Sequence, residues 1–155
     1  VKVLRAEVLA YDPYVPDEEF TKRGIKRITR LEELLEQSDI VSIHVVLNQE
    51  TEGMFSEEVL HKMKKGAYLI NTSRGKVINQ KALGKALEEG YLGGAALDVY
   101  EVEPPMDQEL LSLPNLICTP HIGGSTEEAF SNATEILVRK IKEIFHIKET
   151  APLGS

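Results

Sequence analysis

A chain of 155 residues with 42% hydrophobic content carries enough apolar material for one globular domain with a buried core. A formal charge of -7, from 25 acidic against 18 basic side chains, argues against nucleic acid or an anionic membrane as partner, since either needs a basic face. One cysteine, Cys118, leaves no internal disulfide framework and no Cys/His metal set, so no metal site is expected. With no leader-like start and no apolar run near the ~18 residues of a membrane span, the chain reads as a soluble, cytoplasmic protein with a small molecule or another protein as partner.

Two hydrophobic periods alternate along the chain. Short apolar runs at 7–11, 39–45, 67–71, 94–98 and 116–119 suit strands buried on both faces. Helical spacing appears between them. The segment 30–37 presents Leu31, Leu34 and Leu35 on one face, and Thr29 with Glu32 predicts a capping box at its start. Segments 56–63 and 79–89 read the same way, the latter with Gly90 as its stop. A last long helix is expected over 126–145, where Ala129, Ala133, Ile136, Leu137, Ile141 and Ile144 recur at helical spacing and should pack on something apolar. Residues 148–155 show no pattern and are read as a disordered or vector-derived tail. Strand followed by helix, repeated, predicts an α/β fold with a parallel sheet covered by helices.

Polar residues follow each predicted strand. Asp12 follows the first, His44 the second, the turn Asn71-Thr72-Ser73-Arg74-Gly75 the third, Asp98 the fourth, and Pro120-His121 the fifth. In an open parallel sheet the carboxyl ends of the strands share one edge, so these groups are expected to converge there. Each also has a plainer reading. Asp12 before Pro13 suits a turn as well as a ribose diol; Arg74 suits a solvated surface as well as a bidentate clamp for a carboxylate. Glu101 and Glu103 are either loop charges or a carboxylate partner for an imidazole. His121 stands between Pro120 and the pair Gly123-Gly124, a setting that aims a side chain or merely makes a turn, with the glycines free to adopt left-handed angles. His61 and His146 read as surface residues, and His44 as a residue at the site's edge without a catalytic role.

Taken as a set, the stretches NTSRGKVIN (71–79), GGAALDVYEVEPP (93–105) and PHIGGST (120–126) closely resemble the NAD-dependent D-2-hydroxyacid dehydrogenase family, and GGST is most similar to its D-3-phosphoglycerate dehydrogenase branch. The resemblance implies a Rossmann-like doubly wound parallel sheet and NAD as cofactor. It also implies a 2-hydroxy or 2-keto acid substrate and a homo-oligomer, the dimer being the expected state. By motif position it implies Arg74 as the substrate-carboxylate clamp, Glu103 as the histidine's partner and His121 as the proton-transfer group. Asp12 matches the adenosine-ribose acid, while Thr72, Ser73, Arg74, Asp98, His121, Gly123 and Gly124 match positions lying against the nicotinamide half. Val45-Val46 departs from the family pattern.

The family's G-x-G-x-x-G turn is expected about 20 residues before Asp12, and the eleven residues that precede it here hold no such turn. The chain is therefore expected to lack the first, central strand and the phosphate cradle, with residues 1–5 as the end of the helix that follows them. Residues 1–125 then form a partial NAD-binding domain and 126–147 a helix returning toward a substrate domain. Three functions are weighed: an oxidoreductase acting on D-3-phosphoglycerate or on glyoxylate and hydroxypyruvate, a non-catalytic NAD-sensing protein of the same fold, and an inactive fragment. Retention of Arg74, Glu103 and His121 together favours the oxidoreductase.

Overall fold

A computed structural model describes residues 6–146; the expectations for residues 1–5 and 148–155 lie outside the described residues. The chain forms two compact units, one up to Pro120 and one from His121 onward. The first unit is α/β. Strand β1 (Leu9–Ala10), helix α1 (Asp17–Arg23) and strand β2 (Lys26–Arg27) come first, followed by α2 (Leu31–Gln37) and β3 (Ile40–Ile43). Then come α3 (Glu57–Leu60), β4 (Tyr68–Asn71), a 3-10 turn (Gly75–Val77), α4 (Gln80–Glu88), β5 (Gly94–Leu97), α5 (Gln108–Leu111) and β6 (Leu116–Cys118).

Strands β3 to β6 form one parallel sheet in chain order, and β1 pairs with β2 in a separate parallel ribbon. The expected central strand would stand between β1 and β3, and each keeps one edge without a strand partner among the described residues. Along β3, β4 and β5 alternate residues point to opposite faces. Val41, Ile43, Leu69, Asn71, Ala95 and Leu97 face a core filled by Leu35, Leu60, Met63, Leu83, Leu87 and Leu92. Each such aliphatic side chain contributes roughly 2 kcal/mol by leaving water. The opposite face stays open: Ile40 is 61%, Tyr68 52% and Ile117 69% exposed. Tyr68 partly covers this face by laying its ring within 3.2 Å of where a Cβ on Gly94 would sit.

The helix termini explain where the elements stop. Asn79 accepts from the Ala82 amide and opens α4, whose Ala82, Leu83, Ala86 and Leu87 form the buried stripe. Gly90, at a φ of 66°, turns the chain out of the helix, as expected of it. Ser56 caps α3 in the same way, but that helix closes at Leu60 rather than near Met63. Its end is held by the Tyr91 hydroxyl, which lies 2.7 Å from the His61 carbonyl and 2.8 Å from that of Met63. The predicted Thr29–Glu32 capping box does not form: Arg30 is the N-cap of α2 and makes no side-chain cap bond. Starting the helix at Leu31 makes Glu32 the second helical residue instead of the third, out of reach for a reciprocal bond.

Three elements carry no sequence signal of the expected kind. In α1 only Phe20 is buried, so no apolar stripe appears; acids in its first turn, bases in its last and Gly24 at a φ of 64° support it instead. Strand β2 is Lys26-Arg27, and α5 is a single turn capped by Asp107. The second unit contains α6 (Glu127–Ile144), which begins at the Thr126 cap. None of its side chains is buried among the described residues. Phe130 is 66% and Leu137 59% exposed.

With two open strand edges and an open apolar sheet face, the 155-residue chain is expected to self-associate. Light scattering over a dilution series should return masses above 17.3 kDa. A constant monomer mass would contradict this.

Candidate active site

Pairing in the four-stranded sheet runs without offset at its carboxyl end: Ile43 lies beside Asn71, Asn71 beside Leu97, and Leu97 beside Cys118. The residues that follow, His44, Thr72, Asp98 and Thr119, therefore emerge in one row. Thr72, Ala96, Leu97, Asp98, Ile117 and Thr119 line a shallow cleft of about 100 Å³ there. Asp98 is buried. Its carboxylate accepts the Thr119 hydroxyl at 2.6 Å, and its amide donates to the Asn71 carbonyl at 3.0 Å, which extends the ladder one residue beyond β5.

The turn after β4 is built by Asn71, which is fully buried. Its Oδ1 accepts the Ser73 amide at 3.0 Å and the Ser73 hydroxyl at 2.8 Å, and its Nδ2 donates to the Arg74 carbonyl at 3.0 Å. Arg74 is exposed, and its Nη1 donates to the Ser73 carbonyl at 2.7 Å. At Gly75 the backbone of the next loop passes so closely that a Cβ would stand 1.9 Å from the Tyr100 carbonyl carbon and oxygen, so only glycine fits.

The loop that carries Glu103 is fastened on three sides. Glu101 accepts the Gln80 amide at 2.7 Å while Gln80 accepts the Glu101 amide at 2.8 Å, a reciprocal bond between this loop and the start of α4. Glu103 accepts the Tyr100 amide at 3.1 Å. The Tyr100 hydroxyl lies 3.0 Å from the Thr119 carbonyl and 3.2 Å from that of Leu97. Burial, and next the neighbouring Cys118, push the Tyr100 phenol well above its ordinary range.

At the first ribbon, the Asp12 carboxylate accepts the amides of Tyr14 and Val15 through Oδ1, at 2.8 and 3.2 Å. The plain turn reading is thus realised for one oxygen, and it fixes the direction of the other. The Tyr14 hydroxyl donates to Glu50 in the loop after β3, joining the loops that follow β1 and β3. Glu50 raises the Tyr14 phenol above its usual range. His44 bonds Ser42 through Nε2 at 2.8 Å.

His121, Gly123 and Gly124 belong to the second unit. There His121 itself stands in the left-handed region, at a φ of 54°, as does His146 at 52°, whereas the described glycines with positive φ are Gly24, Gly53, Gly66 and Gly90. The freedom expected of the two glycines after the histidine is thus not used for a left-handed angle in this structure. A side chain at φ 54° is uncommon and costs on the order of 1 kcal/mol. Asn71, Gln80 and Glu101 as builders of the loops were not singled out from sequence. The signal for Asn71 was an amide directly after the apolar pair Leu69-Ile70 at the end of β4.

The fold is that of a dinucleotide-binding domain. Residues 1–123 match the NAD binding domain of D-isomer specific 2-hydroxyacid dehydrogenases, and the chain belongs to that family. It is 47% identical over 148 residues to D-3-phosphoglycerate dehydrogenase of Bacillus subtilis, covering 96% of this chain and 27% of that protein. A glyoxylate reductase of Korarchaeum cryptofilum is 47% identical over 135 residues, covering 86% of this chain and 40% of its own length. Among solved structures, a glyoxylate reductase from Paecilomyes thermophila superposes with a TM-score of 0.86 at 32% identity, over 97% of this chain and 45% of that one. The D-lactate dehydrogenase of Aquifex aeolicus, complexed with NAD and lactic acid, gives 0.80 at 34% identity over 94% and 48%. The chain thus spans about a quarter to a half of the length of these relatives. Among the described residues, no helix is long and apolar enough to cross a membrane.

The raised Tyr100 phenol predicts an alkaline instability. Above about pH 10, the ordinary tyrosine value, an unfolded chain gives up this proton and the folded one keeps it, so stability falls as pH rises. Urea denaturation from pH 8 to 11 should show a steeper loss for the parent chain than for Tyr100→Phe. Parallel curves would contradict this.

Proposed function

We propose that the full-length protein is an oxidoreductase that transfers a hydride between NAD and a D-2-hydroxy acid, D-3-phosphoglycerate being the favoured substrate. The observation that supports this reading is the fixed turn that carries Arg74 two residues after Thr72 of the strand-end cleft, within a chain of the D-isomer dehydrogenase family. Glyoxylate or hydroxypyruvate is the second substrate reading, because the glyoxylate reductase relative matches this chain at the same 47% identity.

The residues present suit the cofactor. Asp12 has one carboxylate oxygen tied to its own turn, which leaves the other directed for a ribose hydroxyl. Thr72 and Asp98 line the cleft at the strand ends, where a nicotinamide would lie, and Ser73, Gly123 and Gly124 are assigned to the same half. When bound, NAD supplies the hydride acceptor. The chain's own groups do the rest. Arg74 exchanges its bond to the Ser73 carbonyl for a bidentate grip on the substrate carboxylate. A ring nitrogen of His121 takes the hydroxyl proton in oxidation and returns it in reduction, and the Glu103 carboxylate is assigned as the partner that favours the imidazolium. A homo-oligomer in the cytoplasm completes the reading. A pure NAD sensor would need neither the Arg74 clamp nor a proton-transfer histidine.

His121→Asn in the full-length protein is expected to lower kcat about 10²- to 10⁴-fold while leaving NADH affinity nearly intact. Arg74→Lys should mainly raise KM, since a lysine loses the planar fork. Near-normal turnover by the His121 variant in steady-state assays would assign proton transfer elsewhere.

NAD should be preferred over NADP by about 100-fold in kcat/KM, because a 2′-phosphate beside Asp12 is repelled by several kcal/mol at close range. Arg27 reaches the Asp12 carbonyl at 3.4 Å but is already paired with Asp17 and lies over the Phe20 ring. Comparable kcat/KM with both cofactors would contradict the assignment of Asp12.

A further inference from the structure

Two groups assigned to opposite tasks, Arg74 for the substrate carboxylate and Asp98 for the nicotinamide side, are both anchored on one residue. The Asn71 carbonyl holds the Asp98 amide, and the Asn71 side chain holds both ends of the Ser73-Arg74 step. The amide is chemically matched to its surroundings. Its oxygen faces the Ser73 amide, which only donates, and its nitrogen faces the Arg74 carbonyl, which only accepts, so neither a carboxylate nor a flipped amide satisfies both. It is fully buried, so leaving its own amide oxygen or nitrogen unmet is costly and the turn has strong reason to keep this one shape. Among the described residues the exposed Arg74 side chain bonds only to its own turn, which therefore sets where its guanidinium starts from.

We propose that Asn71 is a positioning residue for substrate binding: through its side-chain amide it sets the Arg74 turn relative to Asp98 and thereby the spacing between carboxylate clamp and cofactor edge. It does not touch substrate. The inference rests on the dehydrogenase reading, and its test separates the two.

The full-length protein is compared with Asn71→Asp and Asn71→Ala, using D-3-phosphoglycerate with NAD and glyoxylate with NADH as probes. Asn71→Asp keeps the volume and the acceptor for Ser73 but sets an oxygen against the Arg74 carbonyl. Losing one such bond corresponds to about tenfold in an equilibrium constant. Asn71→Asp is therefore expected to raise KM about tenfold, with kcat and NADH affinity changed less than about threefold. Asn71→Ala, which removes both side-chain bonds, should raise KM by more than about tenfold in the same selective way, and it decides the matter if Asn71→Asp does not fold. An unchanged KM in a folded Asn71→Asp and in Asn71→Ala overturns the proposal. So does a fall in kcat, substrate affinity and NADH affinity by the same factor, which marks a merely structural residue. If the parent protein turns over neither probe, the dehydrogenase reading fails, and amide exchange decides the positioning claim alone. Protection of the Ser73 amide that is lost in Asn71→Ala supports it, and exchange in the parent as fast as in a free peptide overturns it.

Discussion

Parallel pairing without offset across β3, β4, β5 and β6 is the constraint on which the rest depends. Because each strand ends level with its neighbour, the first residue after each strand enters the same row, and chemistry dispersed over 76 residues of sequence, from His44 to Thr119, becomes one edge. A one-residue slip would turn every side chain of a strand to the other face. Asn71 would then leave the core, and the open face would lose Tyr68 over Gly94. The register is held by the buried set Val41, Ile43, Leu69 and Leu97, which have only one face on which to escape water.

Above that edge, rigidity comes from backbone contacts more than from side-chain bulk. Gly75 lets two loops touch main chain to main chain, and the reciprocal Gln80–Glu101 bonds tie the second loop to α4. Since Glu101 also sits at the positive end of that helix, the bond gains from the helix dipole. Tyr14 and Glu50 tie the ribbon's loop to the sheet's loop, so Asp12 stands on a turn braced from a second direction.

Much of this was legible in the sequence. All of the strands in the four-stranded sheet, the capped helices α3 and α4 and the span of α6 follow from apolar runs and from Ser56, Asn79 and Thr126, because burial and capping leave local marks. Helix α1, β2 and α5 left no apolar period to detect: one buried residue in seven, two charged residues, and a single turn are too little, even though Gly24 ends α1 and Asp107 caps α5. The capping box at Thr29 was misleading because a helix start is fixed by where the backbone leaves the extended region, here at Arg30, and not by the presence of a suitable pair.

By itself, the sequence determined the alternation of strands and helices, the identity of the groups that follow each strand and, through three motifs in order, the family. Those properties are encoded in neighbouring residues. Only the tertiary structure decided that β1 and β2 form a ribbon apart from the larger sheet, that one sheet face stays open, that His121 itself takes the left-handed angle, and that Asn71 is the amide under the Arg74 turn. Each of those depends on which segments meet across long stretches of chain or on a single dihedral. Burial of an amide against a turn it also hydrogen-bonds has no periodic signature, so it becomes visible only when the strand carrying it is set between its neighbours.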